Sequence, residues 1–173
     1  MPFLPSMSDP ATPRDIWLMM PELGRPMCEY HDILLRGPSP LTVAQRELIA
    51  AYVSGLNACH FCCGTHTAIA EGFGVEPGPL ESLLKDLDGA EIGDEMRALL
   101  RYAAKLTLSP SRMTQADAAS VFEAGWNETA FLHAVKVCCL FNFMNRLVFG
   151  TGIEPSDRTH RPTVERLRDR GYR

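Results

Sequence analysis

Arg46-Glu47-Leu48-Ile49-Ala50-Ala51-Tyr52-Val53-Ser54-Gly55-Leu56-Asn57-Ala58-Cys59-His60-Phe61-Cys62-Cys63-Gly64-Thr65-His66 is the stretch on which the fold turns. Leu48, Ile49, Tyr52, Val53 and Leu56 recur at helical spacing behind Thr42, a good N-cap, so a helix is expected over Val43–Leu56. Asn57-Ala58 reads as its end. A second helix should start near Cys59 and run through Ala70, stopped by Gly72 and Gly74. Two helices joined this closely make a hairpin that carries the Cys59-x-x-Cys62 pair.

On the second helix, Cys59 and Cys62 are three apart and Cys62 and His66 four apart, so all three share one face. A first-turn position gives Cys59 the unsatisfied backbone N–H groups that favour thiolate over thiol. Thiolate is the form that attacks peroxides and disulfides. The same position lets Cys59 bend towards Cys62, as a reversible disulfide requires. His66, one turn further in, can exchange a proton with Cys62. Glu47, in an otherwise apolar run, needs a partner if it is buried, and a tight hairpin about Gly55–Ala58 would bring it to His66. A solvated or arginine-paired glutamate is the competing reading.

Outward from this core, helical patterns dominate. A short helix at Asp15–Met20 ends at Pro21, and Met27, Tyr30, Ile33 and Leu34 mark a helix over Pro26–Arg36. Others are expected around Leu80–Leu87, over Asp94–Leu108, and from Thr114 to Gly125. Asn127 caps a last apolar run, Phe131–Phe149, apolar nearly all round and so expected to be a buried central helix. No period-2 strand pattern appears. The fold class is therefore all-α, a single domain over residues 1–173, with residues 1–13 a proline-rich, poorly ordered arm. Residues 157–173 form an arginine-rich polar tail, read as a solvated helix or arm in preference to a phosphate-binding segment.

Composition narrows the function. The 173 residues carry a net charge of -4, which argues against a general nucleic-acid partner. No long apolar span stands out, which gives no membrane partner. The first residues lack the pattern of a secretory signal, so the cytoplasm is the default location. Five of the six cysteines cluster as Cys59, Cys62, Cys63 and Cys138, Cys139, which in a reducing compartment reads as redox chemistry or metal binding. Zinc is the rival: Cys59, Cys62 or Cys63, His66 and Glu47 offer four donors. However, three of them lie on one helix, and no second ligand pair is found. A purely structural set of buried cysteines is a further reading. Cys28, Cys138 and Cys139 are read as packing residues, and His31, His133 and His160 offer no usable spacing. Asn142, Asn145 and Arg146 need partners on so apolar a helix, and interhelical or subunit hydrogen bonds are preferred over substrate contact.

Arg46-Glu47-Leu-Ile-Ala, then Ser54 and Asn57, then Cys59-x-x-Cys62-x-x-x-His66 resembles the alkylhydroperoxidase D (AhpD)-like group of the carboxymuconolactone decarboxylase superfamily, closest to its peroxidase-related proteins. Phe141-Asn-Phe-Met-Asn145-Arg146 and Gly152-Ile-Glu resemble the late helix of that subgroup, and the likeness spans about Asp15 to Glu154. The resemblance implies an AhpD-like helical bundle, homo-oligomers, and thiol-dependent reduction of hydrogen peroxide or organic hydroperoxides without cofactor or metal. By the same analogy Cys62 is the low-pKa nucleophile, Cys59 resolves it, Glu47 and His66 relay protons, and an external dithiol or thiol protein restores the pair. Helix geometry leaves Cys62 and Cys63 nearly tied, and the resemblance makes Cys63 a buried, inert neighbour. One departure is Phe61, where some members carry a second histidine. A zinc-binding or redox-sensing interaction protein is the alternative. A decarboxylase ranks lower, because it leaves the cysteine pair without purpose.

Overall fold

The computed structural model describes residues 1–172, and among them the regular structure is entirely helical. The helices are α1 (Pro13–Met19), α2 (Pro21–Arg36), α3 (Val43–Leu56), α4 (His60–Gly72), α5 (Pro79–Lys85), α6 (Asp94–Leu108), α7 (Gln115–Glu123), α8 (Glu128–Thr151) and α9 (Asp157–Arg170). The expected bounds of α3 and α6 match. α2 starts earlier than its apolar pattern suggests, with Pro21 in its first turn and Pro26 carried inside the helix.

The central helix is α3, not the late apolar one. Every residue from Arg46 to Ser54 is buried, and α2, α4, α5, α6 and α8 all pack on it. Its small residues allow this: a Cβ on Gly55 would fall 2.6 Å from the Leu84 side chain of α5. Leu35, Ile49, Val53, Leu99, Leu100, Val137 and Phe141 fill the core around it. Arg46, buried in the first turns of α3, is satisfied by the carbonyls of Leu34, Gly37 and Thr42. It therefore ties the α2–α3 loop and takes no part in the cysteine site.

The expectation for α8 is corrected. One face, including Val137, Cys138, Phe141 and Val148, is buried, but Leu132 is 53% exposed, Phe143 47% and Phe149 50%. The same split separates the adjacent cysteines, since neighbours on a helix point about 100° apart. Burial pushes the Cys138 thiol up to about 11, whereas Cys139 is exposed beside Met27, Tyr30 and Phe143. Packing thus describes Cys138 but not Cys139. By length and composition α8 is also apolar enough to cross a membrane, though here it packs along α3 and α6.

Both chain ends lie on the bundle. Phe3 N–H donates to the Thr151 carbonyl at 2.9 Å, and Ala11 is buried with Cys59, Phe61, Cys62, Val148 and Ile153. Residues 157–170 form α9, which lies along α4 and buries Leu167.

The α3–α4 junction sets the cysteine pair. Ala58 is left-handed, at φ +54°; its N–H bonds the Gly55 carbonyl and that of Cys59 bonds the Ser54 carbonyl, both at 2.9 Å. These are the paired bonds of a Schellman motif, and they use up the last carbonyls of α3. Cys59 leaves this motif directly as the N-cap of α4. A left-handed alanine costs about 1–2 kcal/mol, and branching at Cβ costs more. We therefore expect Ala58→Val to lower unfolding free energy by about 1–2 kcal/mol in urea titrations, with Ala58→Gly at least as stable as the parent. Equal stability of the valine and glycine variants would remove the strain from this junction.

Candidate functional site

Glu47 is fully buried, and each of its oxygens is engaged. His66 Nδ1 from α4 donates to Oε2 at 2.5 Å. Arg36 Nη1, from the last turn of α2, donates to Oε1, and the Tyr172 hydroxyl beyond α9 approaches the same oxygen at 3.4 Å. Burial alone would raise the carboxyl pKa and is the largest single influence, but His66 and Arg36 together outweigh it and hold the group below its usual range. Glu47 is thus a carboxylate. The histidine partner is present, and the competing reading of a surface glutamate is overturned: the arginine meets Glu47 in the interior, on the opposite oxygen.

Arg36 is held as firmly as the group it neutralises. It donates to the carbonyls of Leu35 and Leu167, and its guanidinium lies 5.2 Å from the Phe73 ring centroid and 5.3 Å from that of Tyr172. Burial, followed by the neighbouring Glu47 charge, raises the Tyr172 phenol far above its ordinary value, so it stays protonated and can only donate to the carboxylate. His66 packs edge-on against Phe141 at 4.4 Å. Its Nδ1 being committed to Glu47, Nε2 is the nitrogen left for a reacting group.

One turn before His66 lies the thiol pair. Cys59 and Cys62 lie close enough for their thiols to influence each other, beside the Asn145 side chain. The Cys62 thiol above all brings Cys59 down to about 7 against the opposing effect of burial. Cys62 moves the other way, raised first by the Cys59 thiol and then by burial. Of the two sulfurs Cys59 is the one whose pKa is lowered, whereas the family resemblance makes Cys62 the low-pKa thiol. Cys63 is half-buried, and burial raises its pKa.

Asn145 is the contributor the sequence undersold. It is buried, donates to Ser54 Oγ at 3.0 Å and accepts from Asn57 at 2.9 Å, as well as touching both thiols. Asn142 extends this network away from the site through Thr107, Cys138 and Asn57, while Arg146 bonds Asn142 one turn back on α8. Interhelical hydrogen bonds are present for Asn142 and Asn145, and Asn145 also reaches the thiol pair.

A cavity of about 790 Å³ opens over the pair, and Phe61, Cys62, Thr65, His66, Phe141 and Met144 form its inner wall. Cys62, not Cys59, faces this space. His31 lines it too: burial pushes its pKa down to about 4, and its Nδ1 donates to the Met27 carbonyl at 2.7 Å, so the ring is neutral. Neither His31 nor Arg36 nor Tyr172 carried a sequence signal, because each reaches the site through tertiary packing. Among the described residues, no three His, Cys, Asp or Glu side chains converge as a metal site.

The sequence profile of the Carboxymuconolactone decarboxylase family matches residues 21–105. Among solved structures, an uncharacterized peroxidase-related protein from Silicibacter sp. TM1040 is similar at 26% identity and TM-score 0.77, over 84% of this chain and 76% of that one. A second, described as an alkylhydroperoxidase AhpD core and an uncharacterized peroxidase-related protein from Ralstonia eutropha JMP134, is 25% identical with TM-score 0.76, over 83% and 75%. A comparison with curated proteins returns no match. Together these likenesses support an AhpD-like member of the carboxymuconolactone decarboxylase superfamily.

Replacing Glu47 by glutamine keeps shape but leaves Arg36 facing a neutral amide, so we expect a loss of about 2–4 kcal/mol in denaturant unfolding at pH 7. The carboxyl pKa is lowered by folding, so this contribution is complete above the unfolded-state value and is lost as pH falls through the folded one. The gap between parent and Glu47→Gln should therefore close in acid. A gap independent of pH would contradict a charged Glu47.

Proposed function

We propose that the protein is a thiol peroxidase that reduces hydrogen peroxide or organic hydroperoxides through Cys59 and Cys62. The observation that carries this is a close thiol pair of which Cys62 faces a cavity beside a carboxylate-bound histidine. Cys62 is the sulfur a peroxide meets. Its proton passes to the neighbouring Cys59 thiolate, and the Cys62 sulfur attacks the terminal peroxide oxygen. The O–O bond breaks, Cys62 becomes a sulfenic acid, and the departing alkoxide takes a proton from His66, whose ring Glu47 holds at Nδ1. Cys59 then attacks the Cys62 sulfur, water leaves, and the disulfide forms. An external dithiol or thiol protein returns two electrons and two protons, so each cycle converts one hydroperoxide to alcohol and water.

Peroxide consumption with dithiothreitol as donor tests this. We expect Cys62→Ser to lower turnover at least about 100-fold. With the donor left out, Cys59→Ser should consume one equivalent of hydroperoxide and leave a dimedone-trapped sulfenic acid on Cys62. Sulfenic acid trapped on Cys59 in a Cys62→Ser protein that still turns over would invert the assignment.

We further propose a cytoplasmic homo-oligomer. The exposed Tyr30 and Ile33 of α2 and Leu132, Phe143 and Phe149 of α8 form more apolar surface than isolated exposed residues account for. Sedimentation at micromolar concentration should show a species heavier than the 19.2 kDa chain. A solely monomeric boundary would contradict it.

A further inference from the structure

Hydrogen peroxide needs almost none of the 790 Å³ in front of Cys62, which is the size of a pocket for a drug-sized ligand. The two ends of this cavity differ. At the inner end the Thr65 side chain, 2% exposed, carries a hydroxyl with no hydrogen-bond partner among the described residues, one turn from Cys62 and next to His66. A buried hydroxyl left unsatisfied costs free energy, so this one is placed for a ligand. Trp17, Leu18 and Met144 supply apolar wall.

The outer lining holds four arginines, Arg14, Arg25, Arg166 and Arg170, against a single carboxylate, Glu29. None of the four forms an ion pair among the described residues. This concentration of positive charge stands on a chain whose net charge is -4. Arg14 of α1 and Arg166 of α9 line the cavity with Cys28, near enough for both charges to act on that thiol and for Arg14 to disfavour the charge on half-buried Arg166. Arg166 donates to the Gly171 carbonyl at 3.4 Å, but neither arginine has a carboxylate partner among the described residues, which suits this wall to a carboxylate or phosphate.

We propose that the substrate is an organic hydroperoxide that also carries a carboxylate: its acid group lies between Arg14 and Arg166, its apolar body along Trp17 and Met144, and its hydroperoxide at Thr65 and Cys62. This rests on the peroxidase reading above and specifies its substrate class. It also gives the arginine-rich C-terminal segment a ligand.

The test compares para-carboxy cumene hydroperoxide with its methyl ester, using dithiothreitol as a neutral donor at low ionic strength. The reacting group is the same in both, and only the charge differs. We expect kcat/KM for the acid to exceed that for the ester by about 10-fold, the preference shrinking as salt is added. Arg14→Gln combined with Arg166→Gln should bring the two rates together. Arg14 is exposed, so Arg14→Glu alone, which should favour the ester, serves if the double variant does not fold. Equal rates for acid and ester in the parent, or a preference that survives both variants, overturns the proposal and leaves the peroxidase reading standing. Calorimetry with para-isopropylbenzoate and its methyl ester separates the two ideas. If no hydroperoxide is consumed but the benzoate binds in preference to its ester and needs the arginines, the anion site stands and the peroxidase reading falls. Absence of that binding preference overturns the anion site.

Discussion

A charged carboxylate with no access to water is the constraint around which this bundle is built. An isolated buried charge is costly, so Glu47 is tolerable only while both oxygens are met by donors with good geometry. Those donors come from three places in the chain: Arg36 at the end of α2, His66 in α4, and Tyr172 after α9. Removing Arg36 leaves the carboxylate without its fixed counter-charge, and removing Tyr172 takes away a neutral donor. The carboxylate thereby ties together α2, α3, α4 and the C-terminal segment, and the proposed site and part of the tertiary structure rest on the same contacts.

The two halves of the site are tuned by different physics. Around Glu47 and His66 the interaction is ionic and buried. Around Cys59 it is neutral neighbours, the Cys62 thiol and the Asn145 amide, that act against burial. Asn145 belongs to α8, which otherwise supplies packing, and it is locked by Ser54 and Asn57 of the α3 end. Hence the residues that close α3 also orient the amide beside the thiol pair. Phe61, standing where some relatives carry a second histidine, contributes apolar wall to the cavity and no proton-transfer group.

The local signals were legible in the sequence. Helical periodicity and the Thr42 cap marked α3, the three-and-four spacing put Cys59, Cys62 and His66 on one face, and the isolated Glu47 called for a partner. What failed was long-range. Periodicity along Phe131–Phe149 shows that α8 is apolar but not which side another chain or the core covers, so a half-exposed helix was read as central. The small residues of α3, Ala50, Ala51, Ser54 and Gly55, were the better sign of centrality, because close packing of several helices needs thin side chains. Arg36, His31 and Tyr172 sit in unremarkable local contexts and meet only in three dimensions. The order of the thiol pKa values was equally hidden, because it depends on what surrounds each sulfur.

Cys59 closes the Schellman motif of one helix and begins the next, so the backbone on both sides of its sulfur is pinned. Its N–H is tied to the Ser54 carbonyl at the end of α3, and its own carbonyl accepts from the Cys63 N–H at 2.8 Å. The residue thus belongs to two helices at once. Any shift of α3 against α4 is therefore felt at this sulfur, which makes the hairpin a lever on the spacing of the two thiols.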